Sequence, residues 1–363
     1  MKVENKNELR EILLKQYELR PKMQLQDMIK LIYQNEFAGG HMITDEISSL
    51  KYLKAELDIL NSNLCTHLNQ ALFEYIGNDL YRMNLATLKN FKLNVETLNK
   101  FFVNTANSVR GSIKSFEQKL GIFEECCKDG LLPYSPDELQ NYIDNYKIQG
   151  YPPISHSGIY REYYSPAYRI VGAKYKHFFK AFEYIDILMQ SDGIVKVAID
   201  GSAGAGKSTL SNLIESVYDC NIFHMDHFFL RPELKTEERL KEVGGNVDYV
   251  RFKQEVIEGL QSGREFEYRV YNCKKMALDK TISVKPKKLN IIEGVYSMHP
   301  TLIDSYDLKI FLEIGKEEQA ERILKRNGPA MQRRFLDEWI PLEDEYFDRM
   351  RIKEQSDIIF QEN

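Results

Sequence analysis

The sequence has few of the features that mark secreted, disulfide-bonded or membrane-spanning proteins. Its five cysteines are an odd number and include no CxxC pair, which argues against a zinc site and indicates reduced thiols rather than a disulfide framework. The stretch MKVENKNELR is charged and lacks the apolar core of a secretory signal. No apolar run approaches the roughly 20 residues that cross a bilayer. We therefore expect a cytoplasmic protein with no membrane partner.

An excess of positive charge is also missing. Lys and Arg number 49 against 54 Asp and Glu, which gives a net charge of −5. Because nucleic-acid binding depends largely on neutralising phosphates with basic residues, no nucleic-acid partner is expected from charge. The 363 residues, 43% of them hydrophobic, are enough for two soluble domains with separate cores.

The first half of the chain has the periodicity of helices. Apolar residues recur at three- and four-residue steps in ISSLKYLKAELDIL. In SPDELQNYIDNYKIQG, Ser135 is a predicted N-cap, Pro136 a first helical residue and Gly150 a stop. No alternating strand pattern is visible here. We predict a mainly α-helical domain over residues 1–190, of unknown role.

The segment 151–173 interrupts the helical periodicity with three prolines and five tyrosines. It predicts a loop or linker, for which two interpretations stay open. It is either a substrate or anion site on a stiff loop between domains, or a rigid connector whose tyrosines pack on both domains.

From residue 191 onward, short apolar strands alternate with helices. This pattern predicts a parallel sheet covered by helices on both faces, hence an α/β domain over residues 191–363. The predicted strands lie in GIVKVAID, NIFHMD, KLNIIEGVYS, LKIFLEIG and SDIIF.

One motif in this half carries a specific chemistry. GSAGAGKST, residues 201–209, matches the phosphate-binding loop G-x-x-x-x-G-K-[ST] between a strand and a helix, so the fold is predicted to be of the P-loop NTPase type. Glycines let backbone N–H groups turn towards an anion. The lysine offers a positive charge to the β- and γ-phosphates, and the serine hydroxyl can ligate Mg²⁺. ATP, by default over GTP, and Mg²⁺ are the expected cofactors. The predicted nucleotide-binding residues are Gly201, Ser202, Gly204, Ala205, Gly206, Lys207, Ser208 and Thr209.

Two acidic residues end predicted strands. Glu293 is placed to hold Mg²⁺ with Ser208, directly or through water, unless it merely faces solvent. Asp226 lies beyond a strand end, where open α/β sheets bind ligands, and is placed to accept a proton from an attacking hydroxyl, although a structural role stays open. A metal site of His224, Asp226 and His227 is disfavoured, because strand alternation sends His227 to the opposite side.

These motifs resemble those of P-loop kinases of the uridine kinase and phosphoribulokinase superfamily, which also includes bacterial pantothenate kinase. The resemblance covers about residues 194–360 and rests on GSAGAGKST, MDHFF, EGVYSMHP and LKIFLEIGKEEQAERILKRN. It implies that Asp226 is the catalytic base and that Lys207 and Arg322 act on the transferred phosphate. Other cations of the lid helix either assist closure or form a solvated face. These are Lys325, Arg326, Arg333 and Arg334.

The stretch that would read the acceptor departs from this family. Uridine kinases have a Tyr-Asp pair followed by His and Arg, whereas this chain has Tyr271, Asn272, Cys273, Lys274 and Lys275. The missing acid weakens the case for a nucleoside, and the lysines favour an anionic acceptor, unless they are plain surface charge. The predicted acceptor-binding residues are His227, Tyr271, Lys274 and Arg326.

The sequence therefore predicts an ATP- and Mg²⁺-dependent kinase that moves the γ-phosphate to a hydroxyl of a small metabolite, either a nucleoside, a sugar phosphate or a carboxylate-bearing acceptor. A homodimer is left open. One alternative is an NTP-hydrolysing regulatory switch whose helical domain binds a protein or RNA partner. Another is a bifunctional enzyme whose first half processes the phosphorylated product.

In that first half the stretches around His41 and Arg110 and the run Ser155–His156–Ser157 carry polar groups. No third partner for a hydrolase triad is visible in the sequence.

Overall fold

The computed structural model describes residues 3–39, 43, 45–62 and 71–362. The chain forms two compact units, Met1–Phe179 and Lys180–Asn363. The sequence predicts a boundary between two domains near residue 190, and this domain division stays a prediction. His41 itself lies outside the described residues.

The first unit is mainly helical, as predicted. In the helix expected from SPDELQNYIDNYKIQG, the Ser135 hydroxyl accepts a hydrogen bond from the Glu138 N–H at 3.4 Å, and Gly150 follows with φ of 76°. The helices α1 to α8 are Val3–Leu19, Leu25–Phe37, Glu46–Ser62, Val95–Ser108, Ile113–Lys128, Pro136–Ile148, Gly158–Tyr164 and Ala173–His177.

The first unit also contains a small sheet that the sequence did not predict. Its strands β1 (Phe73–Gly77), β2 (Leu80–Asn84) and β3 (Tyr168–Gly172) are antiparallel, with β2 in the centre. The polar Arg82 and the apolar Met83 are both buried in β2. The sequence therefore lacks the alternation of buried apolar and exposed polar residues that predicts a strand. The segment 151–173 is likewise not a loop throughout, because it contains α7 and β3.

The core of the first unit is formed where α1, α2 and α5 pack together and α1 and α2 meet β1. Leu13, Ile32, Phe116 and Phe123 are all completely buried there. Aromatic rings add edge contacts, as between Phe123 and Tyr134, whose centroids are 5.6 Å apart.

The second unit is built on a parallel sheet, and the five predicted strands are all confirmed. The strands are β4 (Val195–Gly201), β5 (Cys220–His224), β8 (Leu289–Glu293), β9 (Leu308–Ile314) and β10 (Ile358–Glu362), with β6 (Phe266–Asn272) and β7 (Ala277–Val284) forming a separate hairpin. The sheet order is β10-β9-β4-β8-β5, which confirms the predicted α/β fold class.

Helices flank this sheet. They are α9 (Phe179–Leu188), α10 (Lys207–Glu215), α11 (Glu237–Lys241), α12 (Tyr249–Phe252), α13 (Glu258–Gln261), α14 (Lys316–Arg334) and α15 (Ile340–Arg349). Among the described residues no helix combines the length and the apolar character that crossing a membrane requires.

Strand register decides which side chains meet at the carboxyl edge of the sheet. Glu293 of β8 lies opposite Ile199 of β4 and His224 of β5. Gly201, at the end of β4, lies opposite Leu312 of β9. The ends of β4, β5 and β8 therefore bring the predicted phosphate loop and both predicted acids to one edge.

Candidate active site

The phosphate loop connects β4 directly to α10. Gly201, Gly204 and Gly206 have φ angles of 137°, 81° and 94°, a region that side chains disfavour. A Cβ on Gly201 would lie 2.1 Å from the Leu312 carbonyl oxygen, so only glycine fits between the loop and β9. Because the first N–H groups of a helix have no intrahelical acceptor, the start of α10 presents donors and a positive dipole end to an anion.

Three buried side chains outside the motif hold this loop, and sequence reasoning missed them. Asp200 accepts hydrogen bonds from the N–H groups of Gly201 and Met298, at 2.7 and 2.9 Å. Glu343 accepts one from the Ala203 N–H at 2.9 Å, and the Gln319 amide donates to the Ala203 carbonyl, also at 2.9 Å.

A signal for one of these residues was present in the sequence. Asp200 directly precedes the loop in the strand GIVKVAID, where an acid in a buried strand is unusual. The other two come from α14 and α15, far along the chain, so no local pattern identifies them.

Lys207 lies against its own loop. Its Nζ atom donates to the carbonyls of Gly201 and Ser202 at 2.7 and 3.1 Å. The ammonium group is thus held at the mouth of the loop, where the phosphates of a nucleotide would lie.

Ser208 and Glu293 meet, as the sequence predicted for a metal pair. The Ser208 hydroxyl lies 3.3 Å from both carboxylate oxygens of Glu293. These are hard oxygen donors, which Mg²⁺ prefers, and Mg²⁺ usually completes its octahedron with water and phosphate oxygens. The donor set therefore fits Mg²⁺.

His224 also contacts this pair. Its Nδ1 atom lies 2.5 Å from Glu293 Oε1, and this hydrogen bond raises the pKa of the imidazole, against the opposing effect of burial. The sequence indicated His224 only as part of a disfavoured metal cluster. Within the described part of the chain, no group of three or more His, Cys, Asp or Glu residues could hold a metal ion.

The expected divergence of His224 and His227 is wrong. Their ring centroids are 5.1 Å apart, because Met225–Phe228 forms a 3-10 turn rather than an extended strand. The His227 Nδ1 atom lies 3.2 Å from the Tyr268 hydroxyl, and burial together with the nearby His224 lowers the pKa of His227 to about 4.

Asp226 lies on the same 3-10 turn, and its side chain opens onto solvent. Surrounding protein nevertheless desolvates the carboxyl and raises its pKa; the charge of Lys207 opposes this shift, and that of Glu293 adds to it. Both partners are therefore close enough to act on Asp226 electrostatically. A desolvated, accessible carboxylate beside the phosphate loop is suited to accept a proton.

The two predicted acceptor-binding residues on the hairpin differ in their exposure to solvent. Tyr271 is buried, whereas Lys274 is exposed at the turn, where its N–H donates to the Asn272 side chain at 2.9 Å. Cys273 was not predicted for the site. Burial raises the pKa of its thiol and the Asp226 carboxylate contributes to the rise, so this hairpin end lies near Asp226.

The lid helix brings one predicted arginine to the phosphate loop. Arg322 Nη1 donates to the Gly204 carbonyl at 3.3 Å, while Nε pairs with Glu318 at 2.8 Å. Arg326 is exposed. Its charge opposes the rise in the pKa of Asp226, so it lies on the same side of the site.

The other lid cations lie outward. Lys325 and Arg333 are exposed, and Arg334 pairs with Glu338 at 3.3 Å.

The Ser155–His156–Ser157 run does not form a triad. The third partner is Asp27, which accepts a hydrogen bond from the Ser157 hydroxyl at 2.7 Å and lies 2.9 Å from His156 Nδ1. The serine therefore bonds to the acid rather than to the histidine, and it also caps α7 by accepting the Tyr160 N–H. Such a serine is not activated as a nucleophile.

One family profile matches a part of the chain that lies within the second unit. The sequence profile of the Phosphoribulokinase / Uridine kinase family matches residues 196–333. An inorganic pyrophosphatase from Arabidopsis thaliana is 26% identical over 160 residues, 41% of this chain but only 23% of that protein. A uridine kinase from Ureaplasma parvum is 25% identical over 156 residues, 40% of this chain and 75% of that protein.

Among solved structures, a possible uridine kinase from Bacillus stearothermophilus matches with a TM-score of 0.37 and 19% identity, covering 50% of this chain and 99% of that one. The family and the uridine kinase relatives are small-molecule kinases by name, in agreement with the enzyme class predicted from the sequence. Over residues 196–333 the chain matches the phosphoribulokinase/uridine kinase family, which confirms the resemblance seen in its motifs.

Proposed function

We propose that the second unit is a kinase that transfers the γ-phosphoryl group of ATP to a hydroxyl of a small metabolite. The supporting observation is the grouping of Lys207, the Ser208–Glu293 pair and Asp226 around one phosphate loop. A nucleotide-binding loop alone would serve a hydrolase equally well. The accessible, desolvated Asp226 adds a base for an acceptor hydroxyl.

In the proposed reaction the acceptor oxygen attacks the γ-phosphorus and its proton passes to the Asp226 carboxylate. The bond between the γ-phosphorus and the β–γ bridging oxygen breaks, and ADP leaves with that oxygen. Lys207 and Arg322 supply positive charge where negative charge accumulates on the transferred group, which is the main form of catalysis available in phosphoryl transfer.

Ser208 and Glu293 are the residues that would hold Mg²⁺. The ion, when bound, neutralises phosphate charge and orients the β- and γ-phosphates. His224 hydrogen-bonds to the Glu293 carboxylate, which also lies against the Ser208 hydroxyl.

The acceptor is proposed to be anionic, a sugar phosphate or a carboxylate-bearing metabolite rather than a nucleoside. Lys274 is exposed at the end of the hairpin that approaches Asp226, and Lys235 also lies near Cys273, whose thiol pKa it lowers. A lysine at the end of this hairpin and another near Cys273 favour a substrate with negative charge.

The test is ATP consumption by the purified protein against a panel of phosphorylated, carboxylated and neutral hydroxyl metabolites. We expect an anionic metabolite to stimulate turnover. Asp226→Asn is expected to lower that turnover by about 10²- to 10⁴-fold while nucleotide binding persists.

Asp219→Asn is the matched control, because this acid is exposed and pairs with Lys287 at the surface. It should behave as wild type. One outcome would contradict the kinase proposal and favour the regulatory switch. It is slow hydrolysis of ATP or pyrophosphate at a rate that neither the metabolites nor the Asp226 substitution changes.

A further inference from the structure

The first unit contains a cavity that the proposed kinase reaction does not use. Its volume is about 590 Å³, within the range of roughly 300–1,000 Å³ typical of small-molecule sites. Residues from α1, the β1–β2 hairpin and the stretch Tyr160–Tyr168 form its wall. All of its lining residues belong to the first unit, so the cavity is independent of the phosphate loop.

Arg82 is a buried cation at this cavity. It lies on the central strand β2 and is only 2% exposed. Nε and Nη2 donate to the Gln34 side-chain oxygen at 3.1 and 2.7 Å. Among the described residues, Nη1 finds no hydrogen-bond acceptor, and the Glu74 carboxylate lies 3.7 Å away from it. Because a buried donor without an acceptor is destabilising, this N–H group is suited to a ligand oxygen.

A single carboxylate is shared by two arginines here. Glu74 pairs with Arg20 at 2.6 Å and with Arg82 at 3.7 Å. Although burial opposes it, the positive charges of Arg82 and Arg20 hold the pKa of Glu74 below its ordinary value. One carboxylate neutralises one guanidinium, which leaves a net positive charge at the cavity wall.

Neighbouring groups experience this excess positive charge. Burial and repulsion from Arg82 and Arg161 lower the pKa of Lys30 to about 8. Burial and the charges of Arg82 and Lys30 lower the pKa of His156 to about 4, against its hydrogen bond with Asp27, so this ring is neutral at pH 7. An added anion would therefore be attracted to this part of the unit.

Aromatic rings also line the cavity. The Arg82 guanidinium lies over Tyr168, 4.8 Å from the centroid of the tyrosine ring. The His156 ring stacks on the buried Tyr160 ring and meets Tyr168 edge-on, and Phe73 and Tyr81 are further lining residues. Such rings offer flat apolar surface beside the cationic group.

We propose that this cavity binds a small organic anion whose carboxylate or phosphate pairs with Arg82 and Arg20 and whose planar apolar part packs against the tyrosine rings. A guanidinium fork binds either oxyanion in a bidentate manner. The first unit is thereby a ligand-binding domain rather than only a connector.

The experiment is isothermal titration calorimetry, which measures the heat of binding. The full-length protein is titrated with phenyl phosphate and with benzoate, and benzyl alcohol is the neutral probe. We expect saturable binding of an anion in a 1:1 ratio and none of the alcohol. Arg82→Met should weaken binding at least about tenfold, as loss of a charge-assisted pair requires. Lys207→Ala should leave it unchanged, which separates this site from the phosphate loop.

Two further variants complete the test. Arg10→Met is the matched arginine control, since Arg10 pairs with Asp129 on the surface and does not line the cavity. Ala71 is an exposed residue of the cavity lining, so Ala71→Trp is designed to fill the cavity while Arg82 is retained. This variant is the test if Arg82→Met fails to fold. Preference for phenyl phosphate or for benzoate identifies the oxyanion. Absence of binding by both anions, or wild-type binding in Ala71→Trp, would overturn the proposal.

Discussion

At the scale of single residues, two buried carboxylates beneath the phosphate loop differ in how they are compensated. Asp200 receives two backbone N–H groups and the Tyr346 hydroxyl, the last at 2.9 Å. Within the described part of the chain, Glu343 receives the Ala203 N–H alone. Burial raises the pKa of Glu343 to about 7, against the attraction of Lys207. Glu343 therefore changes charge near neutral pH, beside the place where the phosphates would bind.

We predict that the KM for ATP depends on this charge. Below pH 7 Glu343 is neutral, and above pH 7 it is negative and repels the nucleotide phosphates. The KM should therefore rise a few-fold from pH 6 to pH 8. Glu343→Gln should flatten this rise, because the amide does not ionise, while its oxygen can still accept the Ala203 N–H. Steady-state kinetics at a series of pH values measure it. Glu345→Gln, at a partly exposed acid that pairs with Arg349, is the control. Equal profiles in all three proteins would refute the role of Glu343.

A second residue-scale prediction concerns stability. The folded-state pKa of His156 is about 4, against 6.5 in the unfolded chain, because burial and the charges of Arg82 and Lys30 outweigh Asp27. Between these values the unfolded state binds a proton that the folded state does not. This histidine should therefore lower the free energy of unfolding by roughly 2 kcal/mol as the pH falls from 6.5 to 5.

Urea unfolding of wild type and His156→Gln at both pH values measures the difference. His227 and His299, which also have pKa values lowered to about 4 by burial, act in both proteins and cancel in the comparison. A wild type that gains stability on acidification relative to the variant would mean that His156 is protonated beside Asp27.

At the scale of elements, helix α14 contains a break. Gly328 has φ of 77° and ψ of 170°, and Pro329 follows it. This backbone region is essentially restricted to glycine, and proline cannot donate to the preceding turn. The break separates Arg322 and Arg326, which face the phosphate loop and Asp226, from Arg333 and Arg334 beyond it.

We predict that Gly328→Ala strains this break and reduces catalysis. The expected cost to folding is about 1–3 kcal/mol, and turnover should fall because the lid arginines are held in the wrong orientation. Gly121→Ala is the control, since Gly121 is inside helix α5 and a Cβ there would meet nothing within 4 Å. It should be neutral or slightly stabilising. Similar effects of both substitutions on unfolding and turnover would contradict the prediction.

At the scale of the whole molecule, each unit has its own core and its own proposed site. The first unit buries its apolar residues between helices and a small antiparallel sheet. The second buries a separate cluster against the parallel sheet. Ligands of the two sites should therefore protect different parts of the chain.

Hydrogen exchange measured by mass spectrometry tests this division. A non-hydrolysable ATP analogue with Mg²⁺ is expected to slow exchange in residues 201–209 and at the start of α10. Phenyl phosphate at concentrations that saturate the cavity should slow exchange in β1, β2 and β3, and this effect should persist in Lys207→Ala. Protection of the same segments by both ligands would mean that they share one site.

Local sequence was sufficient for much of the second unit. The P-loop spacing, the five apolar strands and Asp226 and Glu293 at strand ends are short-range features. Parallel strands place their carboxyl ends at one edge, so the meeting of Ser208 with Glu293 followed from topology. The position of His227 did not, because a 3-10 turn replaces the extended chain that alternation assumes.

The sequence by itself determined the α/β class, the phosphate loop and the residues that face it, since each depends on neighbours within a few positions. Only the tertiary structure decided which distant groups complete these features. Glu343 reaches Ala203 across 140 positions, and Arg82, hidden in a strand without alternation, finds Glu74 and Tyr168 only after the sheet forms. Long-range pairing of buried charges depends on three-dimensional packing, and no periodicity along the chain encodes it.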